Sequence, residues 1–172
     1  MNVIFFKVDI ILLSILEPRD IADSVIALYA LPMKIVEVGM MYGTVFLNSL
    51  LPVLTDAFGK DEGEKAKKLI KRSFLLLFSG GLIGSLVSFF GAQYILRIIS
   101  SESFVTREIH GLTTIDAFQV VSPIFVLYFV SSLATYILIA RKQERKMLII
   151  NAIIALINII GNLILIPTYS FV

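Results

Sequence analysis

The chain has 172 residues, of which 58% are apolar and only 16% charged, and its mean hydropathy is +0.92, a mix far outside that of a water-soluble domain. The formal net charge of +2 is small, and the basic residues gather in two loops instead of spreading over one face, which argues against a nucleic-acid partner. The absence of cysteine removes disulfides, thiolate metal sites and thiol chemistry.

Three stretches, residues 73–96, 117–140 and 147–172, each hold at least 24 residues without an Asp, Glu, Lys or Arg. A helix needs roughly 20 apolar residues to cross a hydrocarbon core, so each can span a membrane. A soluble protein of this length has too little amphipathic sequence to wrap three such helices. The expected fold class is therefore an all-α integral membrane protein. It forms one transmembrane domain over residues 1–172, with five spans near 3–16, 25–54, 73–99, 115–140 and 147–167.

The first span is short. Lys7 and Asp9 interrupt its apolar run and no small-residue cleavage site precedes Glu17-Pro18, so it reads as a retained helix, not a cleavable signal. The second is about 30 residues long and is expected to tilt or bend at Pro32. Pro52 and Pro123 are further candidate bends, which a helical bundle accommodates. The spacings Gly39-x3-Gly43 and Gly80-x3-Gly84 predict close helix approach.

Between the second and third spans, residues 55–72 carry six Lys/Arg. Asp61 with Lys65 and Glu64 with Lys68 stand at i,i+4, which predicts a short charged helix along the membrane surface. The segment 101–114 mixes Phe104, Val105, Ile109 and Leu112 with polar residues, so it is placed at the opposite interface. It also holds His110, the only histidine, read as a solvated residue. The fourth span carries Gln119, Ser122, Ser131 and Thr135 only loosely on one face; the fifth carries Asn151, Asn158 and Asn162 along one face, and these asparagines are read as interhelical hydrogen-bonding groups.

Residues 141–146 carry four more Lys/Arg, so that ten of the fifteen basic residues lie in two loops that five helices put on one side. The positive-inside rule makes those loops cytoplasmic, with the N-terminus inside and the C-terminal end outside, in a plasma or inner membrane.

Four ionisable residues fall within spans: Lys7 and Asp9 in the first, Lys34 and Glu37 in the second. Each costs about 2.5–3.5 kcal/mol at a helix centre, so each should face protein and find a partner. At 1.5 Å per residue Asp9 lies about 11 Å and Lys34 about 14 Å from the outer ends of their antiparallel helices. The pairs Asp9–Lys34 and Lys7–Glu37 are thus expected as two rungs of an interhelical ladder. Two readings stand side by side. In one the pairs neutralise each other and fix helix register; in the other Lys7 and Lys34 bind a phosphate-bearing substrate while Asp9 and Glu37 orient them or carry coupling protons. No grouping of nucleophile and base, ligand cluster or phosphate-cradling loop points to an enzyme, and no cofactor is expected.

Four local patterns in order extend this reading: Phe5-Phe6-Lys7-Val8-Asp9; Ala27-Leu-Tyr-Ala-Leu-Pro-Met-Lys-Ile-Val-Glu37; Leu51-Pro-Val-Leu-Thr55; and Asn158-Ile-Ile-Gly-Asn-Leu-Ile-Leu-Ile-Pro167-Thr-Tyr169. Together the chain resembles the polysaccharide-biosynthesis flippases of the multidrug/oligosaccharidyl-lipid/polysaccharide exporter superfamily, the patterns being similar to that family's seventh, eighth and eleventh helices. The resemblance implies two pseudo-symmetric lobes with about 12 to 14 helices in all, rocking about a central cavity. This chain would supply about five helices of the second lobe, with the N-terminal lobe as partner. The implied cargo is a polyprenyl-pyrophosphate-linked sugar whose head crosses the cavity while its tail stays in the lipid bilayer, with Lys7 and Lys34 as substrate-binding positions. The alternatives are a cation-coupled multidrug exporter of the same superfamily, in which Asp9 and Glu37 would bind the ion, and a truncated membrane fragment without transport activity.

Overall fold

The computed structural model describes residues 11, 12, 14, 15, 22–106, 108, 109 and 111–169. Helix α1 runs from Ala22 to Gly59 and α2 from Gly63 to Ile99. A four-residue turn of helix, α3 (Glu102–Val105), precedes α4 (Thr114–Val121), α5 (Ile124–Ala140) and α6 (Glu144–Tyr169). The described residues contain no strand, only an isolated antiparallel bridge between Ile109 and Leu112. Four stretches are long and apolar enough to cross a membrane: α1, α2, the α4–α5 pair over Thr114–Ala140, and α6. The chain is a multi-pass, all-α membrane protein. Of the expected span 3–16, only Ile11, Leu12, Ser14 and Ile15 are described.

Helices α1, α2 and α4–α5 pack into one core, and α6 packs chiefly on α5. Near one end of the bundle Met33, Val36, Met40, Leu96, Val105, Phe118 and Phe125 close together, and Val25, Leu28 and Ala117 form a smaller cluster. Towards the other end the cluster is Leu47, Leu50, Leu54, Leu77, Phe129 and Leu133. The buried face of α2 is mostly small side chains, Ser73, Gly81, Ser88 and Ala92, with Leu77 and Leu96 among them. These recur at intervals of four and seven, which is one side of a helix.

Glycines set how closely the helices approach. A Cβ on Gly39 would enter the Phe125 ring and one on Gly43 the Phe129 ring, so this pair seats two aromatic rings on bare backbone. Of the expected pair Gly80–Gly84, Gly84 does face a neighbouring helix, a Cβ there lying 3.4 Å from the Phe125 ring, while Gly80 is corrected: nothing lies within 4 Å of a Cβ built on it. A Cβ on Gly81 would instead lie 3.0 Å from Val126 Cα and 3.1 Å from the Phe125 carbonyl oxygen. The phase of the helix, fixed by Leu77 and Leu96, turns Gly81 inward and Gly80 outward.

The charged segment 55–72 does not form a separate surface helix. α1 continues to Gly59, only residues 60–62 turn, and α2 begins at Gly63 and runs unbroken into its apolar stretch. Nothing between residues 63 and 72 interrupts helical hydrogen bonding, so the charges ride on a helix that projects beyond the hydrocarbon. At 1.5 Å per residue α2 is about 55 Å long, against about 30 Å of hydrocarbon. The ion pairs also differ from those expected: Lys60 bonds Asp56 at 2.9 Å and Lys65 bonds Glu62 at 2.7 Å. Asp61 adopts φ 55, outside the helix, and so loses its i,i+4 relation to Lys65.

Pro32 and Pro52 lie inside α1 without interrupting it, whereas Pro123 separates α4 from α5. Proline at 123 has no N–H for the Gln119 carbonyl, its i−4 acceptor. Ser122 supplies the replacement, donating to that oxygen from its hydroxyl at 2.8 Å and from its backbone N–H at 3.3 Å. α4 starts at a capping box in which Thr113 and Asp116 bond each other's backbone N–H. The Thr114 hydroxyl then donates to the Phe104 carbonyl oxygen at 3.1 Å. That bond and fully buried Val105 draw part of the segment 101–114 over the core, where a purely interfacial position was expected.

Candidate functional site

Several polar groups of α1 and α5 converge on one edge of the bundle, where the two helices meet. Glu37, Thr44, Asn48 and Thr55 stand at intervals of seven, four and seven along α1, a single stripe on its surface. α5 lies against the stripe with two tyrosines: the Tyr128 hydroxyl is 2.9 Å from Thr44 Oγ1, and Tyr136 donates to Asn48 Oδ1 at 2.5 Å. Thr44 also donates to the Met40 carbonyl oxygen, which turns its hydroxyl to accept from Tyr128. From Glu37 to Thr55 the stripe covers about 27 Å, close to the thickness of the hydrocarbon core.

At one end sits the pair expected to matter. Lys34 Nζ lies 3.0 Å from Glu37 Oε2 on the next turn of the same helix, with the lysine side chain 73% exposed and the glutamate 28%. Of the interhelical ladder, the structure describes only Lys34 and Glu37, and these bond each other. Lys7 and Asp9 lie outside the described residues, as does His110. At the other end, the stripe opens into a cavity of about 930 Å³ bounded by the last turns of α1 and the α5–α6 turn.

The remaining polar residues have local duties. Ser131 donates to the Leu127 carbonyl and Thr135 to the Ser131 carbonyl, both within α5. Such back-bonding satisfies a hydroxyl without a neighbouring helix. Gln119 does bridge helices, donating from Nε2 to the Phe89 carbonyl of α2 at 3.2 Å. Asn162 donates to Asn158 along α6 at 3.4 Å, a bond within one helix.

The two tyrosines, Thr44 and Asn48 were not singled out from the sequence. Their signal was available as the seven-four-seven spacing on α1, but tyrosine and threonine in an apolar run read equally well as core or lipid-facing residues. Chemically the edge offers hydroxyls, an amide and an ion pair, suited to hydrogen-bonding a polar molecule. Among the described residues no three His, Cys, Asp or Glu side chains gather as a metal site would require.

Comparison with curated proteins and comparison with solved structures each returned no match. The MatE family model matches residues 1–164, nearly the whole chain. A bundle of long apolar helices with a polar stripe crossing the hydrocarbon depth agrees with that match, and the chain belongs to the MatE family of membrane exporters.

Proposed function

We propose that this chain works within a larger transporter that moves a lipid-linked oligosaccharide, or a polysaccharide precursor, across the plasma or inner membrane by alternating access. The single observation that carries the reading is the stripe from Lys34–Glu37 through Thr44–Tyr128 and Asn48–Tyr136 to Thr55, on an edge of the bundle with its tyrosines resting against the core. Intramembrane polar groups are expensive towards lipid and are favoured where they face protein or a wet cavity. A sugar head presents many hydroxyls, and the stripe offers hydroxyl and amide partners of matching kind. Lys34 attracts the phosphate and Glu37 holds the ammonium in place, with Lys7 and Asp9 as the further charged residues that the sequence assigns to the same task. The N-terminal lobe supplies the opposite wall of the cavity, and both basic loops face the cytoplasm.

The test is complementation of a flippase-deficient strain with the transporter that carries this chain. Restored surface polysaccharide is expected, and Lys34→Ala should lower the transport rate about tenfold or more at equal membrane abundance, the scale of one lost charge-assisted contact. Lys34→Arg should keep most of it. Failure to restore polysaccharide with gain of drug resistance would instead identify a multidrug exporter.

A further inference from the structure

The cavity at the basic end of the bundle shares Thr55 with the transport stripe, and the rest of its lining lies outside that stripe. Leu51, Pro52, Phe58 and Ala140 form apolar walls, and Lys60, Arg141 and Lys142 stand beside them. One carboxylate, Asp56, also lines it and pairs with Lys60 at 2.9 Å. Neither Arg141 nor Lys142 has a carboxylate within 4.0 Å among the described residues. Two cations therefore remain uncompensated at the mouth of a partly apolar cavity.

The Arg141 side chain and the Lys142 backbone are each held in position. The Arg141 guanidinium carbon lies 4.8 Å from the centroid of the Phe58 ring. Stacking engages the face of the guanidinium and leaves its edge N–H groups to grip an oxyanion. Lys142 has φ 56, the left-handed conformation that glycine enters freely and a lysine only against steric resistance. The turn demands that conformation, because the Gln143 N–H reaches back to the Leu138 carbonyl at 2.9 Å and the Lys142 N–H to Ile139 at 2.8 Å. A lysine at a position built for glycine is a backbone outlier beside a cavity, the kind of observation that points to function.

We propose that this cavity binds the phosphate of an anionic membrane lipid, with Arg141 and Lys142 on the phosphate oxygens and the acyl chain along Leu51, Pro52 and Phe58. The depth fits. The uncharged stretch 117–140 ends at the cavity, which puts the cations at headgroup level. The apolar walls favour a lipid-borne phosphate over a free one, since a free anion leaves them against water. The proposal concerns a resident lipid and does not depend on which cargo the transporter carries.

The experiment titrates the purified full chain in detergent with short-chain phosphatidylglycerol, reading the thermal midpoint. Phosphatidylcholine and inorganic pyrophosphate serve as the comparison probes. A saturable rise with phosphatidylglycerol, and a much weaker one with the other two, is expected. Lys142→Gly should be at least as stable as the parent without lipid, because it relaxes the turn, yet bind about tenfold more weakly, and Arg141→Gln should also bind about tenfold more weakly. Lys71→Ala, an exposed lysine outside the cavity, should stay within about twofold of the parent. Parent-like binding by Lys142→Gly, or equal weakening by Lys71→Ala, would overturn the site. Phosphatidylcholine as effective as phosphatidylglycerol would reduce it to a greasy cleft, and pyrophosphate as effective as the lipid would remove the acyl contribution; either result overturns the proposal as stated.

Discussion

Gly43 lets the Phe129 ring rest on bare backbone, and Gly39 does the same for Phe125 one turn away. A side chain there displaces a ring that is itself part of a core cluster. Gly43→Val should therefore cost about 1–3 kcal/mol, the range for overpacking a filled core, read as a lowered thermal midpoint in detergent. Phe129→Ala in the same chain should recover part of that loss, and strictly additive effects would show that the two residues do not share the space. The sequence announced a close approach at Gly39 and Gly43 through their spacing. Which ring fills the gap was not legible, because spacing fixes the face of one helix and says nothing about its neighbour. Gly80 shows the same limit: adjacent glycines differ by 100° around a helix, and only the surrounding Leu77 and Leu96 decide that Gly81 is the inward one. Lys34 was legible as an expensive intramembrane charge in need of a partner, whereas its pairing with Glu37 on its own helix depends on a rotamer that composition does not encode.

The break between α4 and α5 is the element most directly caused by one residue. Pro123 leaves the Gln119 carbonyl without its usual donor, and Ser122 takes over. Ser122→Ala alone should cost about 1 kcal/mol for a buried acceptor losing a bond. In a Pro123→Ala background the new N–H can serve Gln119, and the cost of Ser122→Ala should fall towards zero. Thermal midpoints of the four proteins measure that coupling, and equal costs in the two backgrounds would contradict the assignment. Pro123 was legible as a candidate bend; the substitution of donors was not, since it requires knowing that Ser122 folds back. The helix ends misled in the opposite sense. Charge density marks where hydrocarbon stops, which is not where helices stop. Backbone hydrogen bonds ignore that boundary, so α2 carries Glu64 to Arg72 as ordinary helical turns before its apolar part begins.

At the scale of the whole molecule, the paired basic ends give an orientation that is open to direct measurement, and the lack of native cysteine supplies a clean background for it. Ser101→Cys should react with a membrane-impermeant maleimide in intact cells, and Lys67→Cys only after permeabilisation; the reverse pattern would invert the topology. The arrangement of long helices was readable from uncharged runs because hydrocarbon imposes a minimum length. The packing order was not: α6 is as apolar as the others, yet none of its described side chains is buried and its main neighbour is α5. The consequence is mechanical. The other long helices share glycine seats and cross-helix hydrogen bonds, whereas α6 lies chiefly along α5, so a pulling force on α6 would load the α5–α6 seam before the core formed by α1, α2 and α4–α5.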